Sequence, residues 1–273
     1  MIRFKTILNY FTALLVMLLS DYSSSFAQIK SYQKTNFGVS FILNSGRMNI
    51  YLIKDGLVEV KYTRLENMPE KKSLVVEPVA SYLKDFSVKE NKDNIIITTG
   101  ELKIKVNREN QAITYTDLHD KTILAEADNN KVMRDTSIVG IKTYSCATSF
   151  QSPEDEALYG LGCHPLDSLS INYKGRNQDM AIKYLTGAIP VLLSTKGYGL
   201  LWDNYAESKF YGDENDNTQF TYISESGKMV DYYFFYGPSF DRIMDLYRNL
   251  TGKAPMYPKW SFRLFKSQDR YKS

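Results

Sequence analysis

The stretch Ser45–Arg64, "SGRMNIYLIKDGLVEVKYTR", sets the architecture. Two runs of alternating apolar and polar residues flank Asp55-Gly56. Asp-Gly between such runs is a two-residue hairpin signal, because both central residues of the favoured turn need a positive φ. The preceding "NFGVSFILN" (36–44) reads as another strand. In "DNIIITTGELKIKVN" (93–107) the pattern recurs, with Gly100 between "NIIITT" and "ELKIKV". Leu102, Ile104 and Val106 alternate with Lys103 and Lys105, as in a half-buried strand. "AITYTD" (112–117) continues this, and "LHDKT" turns the chain.

Further on the pattern weakens. Residues 120–134 read as a polar join between two β halves, 28–135 and 136–254. "SIVGIKTYSCATSF" (137–150) resumes strand character, and "SPEDEALYGLGCHPLDSL" (152–169) reads as a loop. Two further hairpins are expected. One is in "AIPVLLSTKGYGLLWDN" (188–204), turning at Thr195–Gly197. The other is in "TQFTYISESGKMVDYYFFYG" (218–237), turning at Ser226-Gly227. A single helix, 239–251, follows Pro238. Phe240, Ile243, Met244, Tyr247 and Leu250 share a face, Ser239 caps the start, Asp241 suits the first turn, and Gly252 closes the end. "KAPMYP" (253–258) is a linker, and "WSFRLF" (260–265) a last apolar run. Many short strands and one late helix predict a mainly β chain: an antiparallel β-sandwich with a C-terminal helix.

The 273 residues suffice for a sizeable core, and 43% hydrophobic with 24% charged residues is globular composition. The first 27 residues read as a secretory signal. Arg3 and Lys5 precede an apolar run from Ile7 to Leu19, and Ser25 and Ala27 occupy the small-residue positions of a cleavage site. This predicts a periplasmic or secreted protein with no membrane segment after cleavage. The net charge is +3, and losing Arg3, Lys5 and Asp21 brings it closer to neutral. A near-neutral surface with mixed charges has no nucleic-acid footprint.

Export permits a disulfide between Cys146 and Cys163, the chain's two cysteines. A buried thiol is the simpler reading. Cys163-His164 with Cys146 lacks a fourth metal ligand, and neither metal nor cofactor is expected.

The residues alone assemble no active site. His119 and His164 are the two histidines, far apart in sequence. There is no nucleophile elbow, metalloprotease helix or phosphate-cradling loop, and "YGLG" (159–162) precedes no helix pattern. Asp179 in "GRNQDM" (175–180) lies in a polar loop beside Lys174, Arg176 and Asn177. Such a cluster suits a polyhydroxylated ligand or a solvated turn. Asp203 in "LLWDNY" ends an apolar strand, an ordinary place for a turn-initiating Asp-Asn.

Four segments together resemble glycoside hydrolase family 31, the α-glucosidase and α-xylosidase family. They are "YGLGCHPLDSLSINYKGRNQDM" (159–180), "PVLLSTKGYGLLWDN" (190–204), "DYYFFYGPSFDRIMDLYRNLTGKAPMYPKW" (231–260) and "SQDRYKS" (267–273). The resemblance implies the family's N-terminal sandwich, of the galactose-mutarotase-like superfold, with residues 255–273 as linker and first strand of a catalytic (β/α)8 barrel. In the family a retaining pair of Asp residues sits on that barrel. A barrel needs about 200 residues, so no catalytic residue of this chain is implied and Asp203 is not one.

What carries over is a sugar contact at Asp179, with Arg176, Asn177 and His164 as neighbours. Cys163 replaces a usual polar residue, and Arg263 and Lys266 replace an expected Gly and Gln. The implied partners are an α-linked oligosaccharide or glycoside and a separately encoded barrel. The chain reads as cut off by a frameshift, by an incomplete reading frame, or because a neighbouring chain completes it. Alternatives are a free-standing glycan-binding module and, behind it, an epimerase, for which His119 and His164 lack a partner arrangement. The apolar end, with Trp260, Phe262, Leu264 and Phe265, is expected to need a partner.

Overall fold

The computed structural model describes residues 28–127, 131–164, 171–182, 186–212 and 217–263. The signal (1–27) and the barrel-like end (264–273) lie outside them. Strands follow in chain order as β1 (Ile29–Thr35), β2 (Gly38–Leu43), β3 (Arg47–Lys54), β4 (Leu57–Thr63), β5 (Ser87–Glu90) and β6 (Asn94–Thr98). Next come β7 (Lys103–Asn107), β8 (Ile113–Thr116), β9 (Thr122–Ala125), β10 (Val132–Ile138), β11 (Ile141–Gln151) and β12 (Leu158–Cys163). The rest are β13 (Gln178–Met180), β14 (Gly187–Ser194), β15 (Tyr198–Trp202), β16 (Ser208–Tyr211), β17 (Gln219–Gly227) and β18 (Val230–Tyr236), then helix α1 (Phe240–Thr251).

They form three antiparallel sheets. The large one has the order β1-β2-β3-β4-β18-β15-β14-β12. A second runs β5 to β9 in sequence, and a third has the order β10-β11-β17-β16-β13. The two smaller sheets meet where Glu126 bridges Phe150 and Ala127 N donates to Ser149 O. Together they face the large sheet across one core, an arrangement that buries one face of each.

Period-two alternation builds that core. Val58, Val60 and Tyr62 of β4 point inward, as do Val230, Tyr232 and Phe234 of β18 and Tyr198, Leu200 and Trp202 of β15. From the opposite layer come Ile104, Val106, Tyr115, Phe150, Phe220 and Tyr222. Rings lock the layers: Tyr115 stacks on Phe234 at 3.8 Å, Trp202 on Tyr222 at 5.7 Å, and Phe150 meets Tyr232 edge-on at 5.3 Å. Lys103 and Lys105 alternate outward on β7 and both reach Asp120, at 2.7 and 2.9 Å.

The hairpins expected at Asp55-Gly56, Gly100 and Thr195–Gly197 are present. The one expected at Ser226-Gly227 is not. β17 pairs with β11 and β16, whereas β18 pairs with β15 and β4, so the chain turns a corner between sheets there. Both strands are apolar on the core side, and local alternation does not reveal which sheet each one joins. Because β4 pairs with β18, the large sheet runs across the 135/136 division.

Other segments also differ from expectation. The supposed join contains β9 and the start of β10, and the supposed loop 152–169 contains β12. Asp179 lies on β13 rather than in a loop. Short edge strands with little apolar content leave too weak a pattern to read.

Helix α1 packs Ile243, Leu246 and Leu250 on the outer face of the large sheet, against Leu57, Leu201, Tyr233 and Phe235. Phe240 and Met244, expected on that face, are instead 42% and 38% exposed. Ser239 Oγ accepts from Arg242 N at 3.3 Å, the cap expected from the sequence, and Gly252 ends the helix at φ +85. Ser239→Ala should cost about 1 kcal/mol in urea unfolding. An unchanged midpoint would mean the helix end is held by packing alone.

Residues 259–262 form a 3-10 turn rather than a strand, and Trp260 and Phe262 are 68% and 77% exposed. Leu264 and Phe265 lie outside the described residues. Cys146 and Cys163 are both free thiols. Cys146 is buried, which pushes its thiol up to about 12, and Cys163 is exposed.

Candidate functional site

The residues singled out by sequence gather along the open edges of the large and third sheets. β12 is the last strand of the large sheet, and β13 is the last of the third. Segment 172–177 passes between them. Tyr173 N donates to Leu158 O at 2.7 Å, and Asn172 Oδ1 accepts from Leu158 N and Lys174 N. Arg176 N then donates to Tyr173 O at 3.1 Å, closing a turn that delivers the chain to β13.

β12 owes its course to "YGLG". Gly160, Leu161 and Gly162 all have positive φ, and the register with β14 shifts between the two glycines. This bulge buries Leu161 completely and ends the strand at Cys163. His164 follows, its Nε2 donating to Leu161 O at 2.8 Å.

On the other side Asp179 is exposed, with Lys209 Nζ 3.5 Å from its Oδ1. Asn177 Oδ1 accepts from Gly212 N at 3.2 Å, and the Arg176 guanidinium lies 5.9 Å from the Tyr173 ring centre. The structure therefore brings Arg176, Asn177 and Asp179 together on one turn and strand. Tyr173 ties them to the edge that carries His164. This rim presents one exposed carboxylate, a guanidinium and an amide, groups that hydrogen-bond hydroxyls.

Buried polar centres, which the sequence reading missed, lie elsewhere. On the outer face of the large sheet, beside α1, sit Glu59, Lys61, Asp203 and Asp231. Lys71, from the segment between β4 and β5, lies 2.9 Å from both Asp203 Oδ2 and Asp231 Oδ2. Asp203, at the end of β15, is 2% exposed. Burial, reinforced by the Glu59 charge, pushes Asp231 up to about 7 despite Lys71 and Lys61. Burial alone would lower the Lys71 ammonium, but Asp231 and Asp203 more than offset it and raise it. The sequence signal was a lone Asp inside the aromatic run "VDYYFFY" (230–236).

Two further carboxylates are enclosed. Glu126 pairs with Lys131 inside the sandwich, both side chains wholly buried, and accepts from Tyr232 Oη at 2.7 Å and Ile113 N at 2.8 Å. Glu156 accepts from Ser152 Oγ, Ser194 Oγ and Tyr198 Oη. Burial raises the Tyr198 and Tyr232 hydroxyls well above their usual range. Such closed networks hold strands in place and are sealed from a substrate. Among the described residues no group of three His, Cys, Asp or Glu is placed to hold a metal, and no helix is long and apolar enough to cross a membrane.

Layered antiparallel sheets with one packed helix make this a β-sandwich of the mutarotase-like class. Residues 47–210 match the glycosyl hydrolase 31 N-terminal galactose mutarotase-like domain. The chain belongs to glycoside hydrolase family 31 through that domain. It is 29% identical over 237 residues to an alpha-xylosidase of Saccharolobus solfataricus, covering 84% of this chain and 32% of that protein. With an isomaltosyltransferase of Sporosarcina globispora it shares 26% identity over 212 residues, covering 71% of this chain and 19% of that protein. Among solved structures, a GH31 alpha-xylosidase from Xanthomonas citri superposes with a TM-score of 0.75 at 19% identity, over 84% of this chain and 41% of that one. A GH31 dextranase of Flavobacterium johnsoniae, complexed with glucose, gives 0.74 at 23%, over 88% and 30%. The chain thus spans less than half the length of each of these proteins.

Proposed function

We propose that this chain is the sandwich of an exported family 31 α-glycosidase and that its β12–β13 rim borders the sugar-binding pocket. Asp179 is the sugar contact, with Arg176, Asn177 and His164 beside it. The observation that carries the reading is positional. Asp179 falls within the matched domain and stands exposed on an edge strand, with Lys209 Nζ 3.5 Å from its Oδ1. A half-exposed ion pair of that length is worth well under about 1 kcal/mol, so it does not stop the carboxylate from accepting a sugar hydroxyl. Support for a saccharide ligand comes from relatives: a variant of the dextranase is described with isomaltotriose, and a Listeria monocytogenes enzyme with a pentasaccharide substrate. Hydrolysis requires a barrel with the family's Asp pair, from a longer form of this protein or from a separate chain.

The test is functional. Fused in place of the sandwich of a family 31 α-xylosidase, this domain should support turnover of an aryl α-xyloside or α-glucoside. With Asp179→Ala, kcat/KM should fall at least about tenfold, the loss of one hydrogen bond to a charged group. Equal turnover with and without Asp179 would remove it from the pocket. Robust hydrolysis by the unfused chain that Asp179→Ala abolishes would overturn the dependence on a barrel.

A further inference from the structure

A cavity of about 930 Å³ lies beside the segment that leads into the β12–β13 rim, where Lys174 Nζ donates to Ser152 Oγ at 2.9 Å and to Pro153 O, both in the cavity lining. It lies where the two smaller sheets meet the end of the large one, between the β8–β9 turn, the end of β11, the β14–β15 turn and the end of β18. β14 runs from one place to the other. Its Gly187 end adjoins the rim, where Thr186 Oγ1 donates to Ala181 O at 3.4 Å, while its Ser194 end runs into the cavity wall at Thr195–Gly197.

The lining combines apolar and polar surfaces. Leu124, Pro153 and Pro238 form apolar walls, and the ring of Tyr236, half-buried at the end of β18, stands among them. Gln151 and Gln219 are directly opposed across β11 and β17, which sets two exposed amides side by side. Asp117 Oδ1 accepts from His119 N and Lys121 N at 2.9 Å each, leaving its second oxygen without a partner among the described residues. The Gln151 and Gln219 amides, the Glu154 carboxylate and the Tyr236 hydroxyl also have no side-chain partner there. Lys196 is taken up by Asp155 at 2.5 Å. These groups come from separate elements, and of them only Asp117 Oδ1 and the Lys196 ammonium are engaged locally.

We infer that this cavity is a second saccharide-binding site, for a neutral oligosaccharide, distinct from the Asp179 rim. A sugar has apolar ring faces and a girdle of hydroxyls that both donate and accept. Tyr236 offers a stacking surface, the paired amides donate and accept together, and the Asp117 and Glu154 carboxylates accept. Lys196 is engaged by Asp155, and Lys174 by Ser152 and Pro153, so cations do not dominate the lining, which disfavours a phosphate or other anion. Burial, with the Asp117 and Glu101 charges, raises the Tyr236 hydroxyl, so it remains a neutral donor across ordinary pH. The volume lies within the about 300–1,000 Å³ usual for small-molecule sites.

The inference is tested by calorimetric titration of the folded chain with isomaltotriose and maltotriose up to about 10 mM, the range for a few hydrogen bonds and one stacked ring. Saturable binding is expected, weakened about tenfold by Tyr236→Ala and similarly by the double substitution Gln151→Ala/Gln219→Ala. The double variant alters only exposed amides, so it keeps the test decisive if Tyr236→Ala does not fold. Asp179→Ala should leave this binding unchanged. No binding by the parent chain overturns the inference, as does binding that survives the double substitution. Binding lost with Asp179→Ala but not with the double substitution also overturns it, while leaving the proposed function standing. An Asp179 that proves irrelevant to turnover in the fusion leaves this second site untouched.

Discussion

Replacing Lys71 by Met should destabilise the sandwich by about 3–5 kcal/mol at pH 8, the usual cost of stripping one partner from a buried ion cluster. Its ammonium reaches Asp203 Oδ2 and Asp231 Oδ2, both at 2.9 Å, donates to the Asp203 carbonyl, and lies 4.9 Å from the Tyr205 ring centre. Without it, Glu59, Asp203 and Asp231 would share Lys61 alone on a largely buried face. The segment carrying Lys71 would also lose an anchor, leaving Tyr205, whose hydroxyl accepts from Leu74 N at 2.6 Å and donates to Ser73 Oγ at 3.1 Å.

The cluster holds three carboxylates against two ammoniums, and the strain of that imbalance falls on Asp231. Its folded pKa of about 7 lies above its ordinary value of 3.8. Between these values the folded state holds a proton that the unfolded chain has released. The contribution of Asp231 to stability is therefore present at low pH and is lost as pH rises from about 4 to about 7. Asp231→Asn removes that loss and leaves two carboxylates facing two ammoniums. In urea unfolding, the stability of the parent minus that of Asp231→Asn should fall steadily across this window, and Lys71→Met should be milder at pH 5 than at pH 8. A difference that rises with pH would show that Asp231 is held ionised and that the imbalance is neutralised otherwise.

Gly162→Ala should cost more than about 3 kcal/mol, left-handed strain plus a collision with backbone. Gly162 sits at φ +104, and a Cβ there would lie 1.9 Å from Gly187 O and 2.8 Å from Ile189 N. Neither atom moves without opening the β12–β14 ladder. Gly160 is in the same position, with Val191 O 2.3 Å from its would-be Cβ. Between them Leu161, at φ +61, is the buried peg of the bulge, and His164 hangs from its carbonyl.

Gly140 provides the control. It has φ +79 and open space around its would-be Cβ, so Gly140→Ala should cost only the backbone term of about 1–2 kcal/mol. Thermal unfolding of both variants separates the contributions. If Gly162→Ala costs no more than Gly140→Ala, β12 is not held in the large sheet as described. If it costs more, the rim that carries His164 should loosen first, visible as faster amide exchange in β12 than in β4.

Much of this architecture was legible in one dimension. Alternation with period two announced the inward set Leu102, Ile104 and Val106, all of them wholly buried. Turn chemistry announced three hairpins, and Ser239 with Gly252 announced both ends of the helix. The resemblance to family 31 singled out Asp179, Arg176, Asn177 and His164 as candidate sugar contacts, and local sequence carried no more than that. These features depend on residues near each other in sequence, where steric and hydrogen-bonding preferences act without help from the rest of the fold.

Tertiary structure alone decided the remainder. β17 and β18 look like a hairpin because their local patterns permit one. Which sheet each strand joins depends on pairing with β11 and β4, many residues away, and on the core surface that each partner offers. Asp203 reads the same whether solvated or buried, because the difference lies in Lys71, contributed by a segment distant in sequence. The cavity lined by Tyr236, Gln151 and Gln219 has no sequence signature, since its walls come from elements that share nothing but their position at the end of the sandwich. Local sequence specifies which face of each strand is apolar, whereas pairing, charge burial and cavities arise only when distant faces meet.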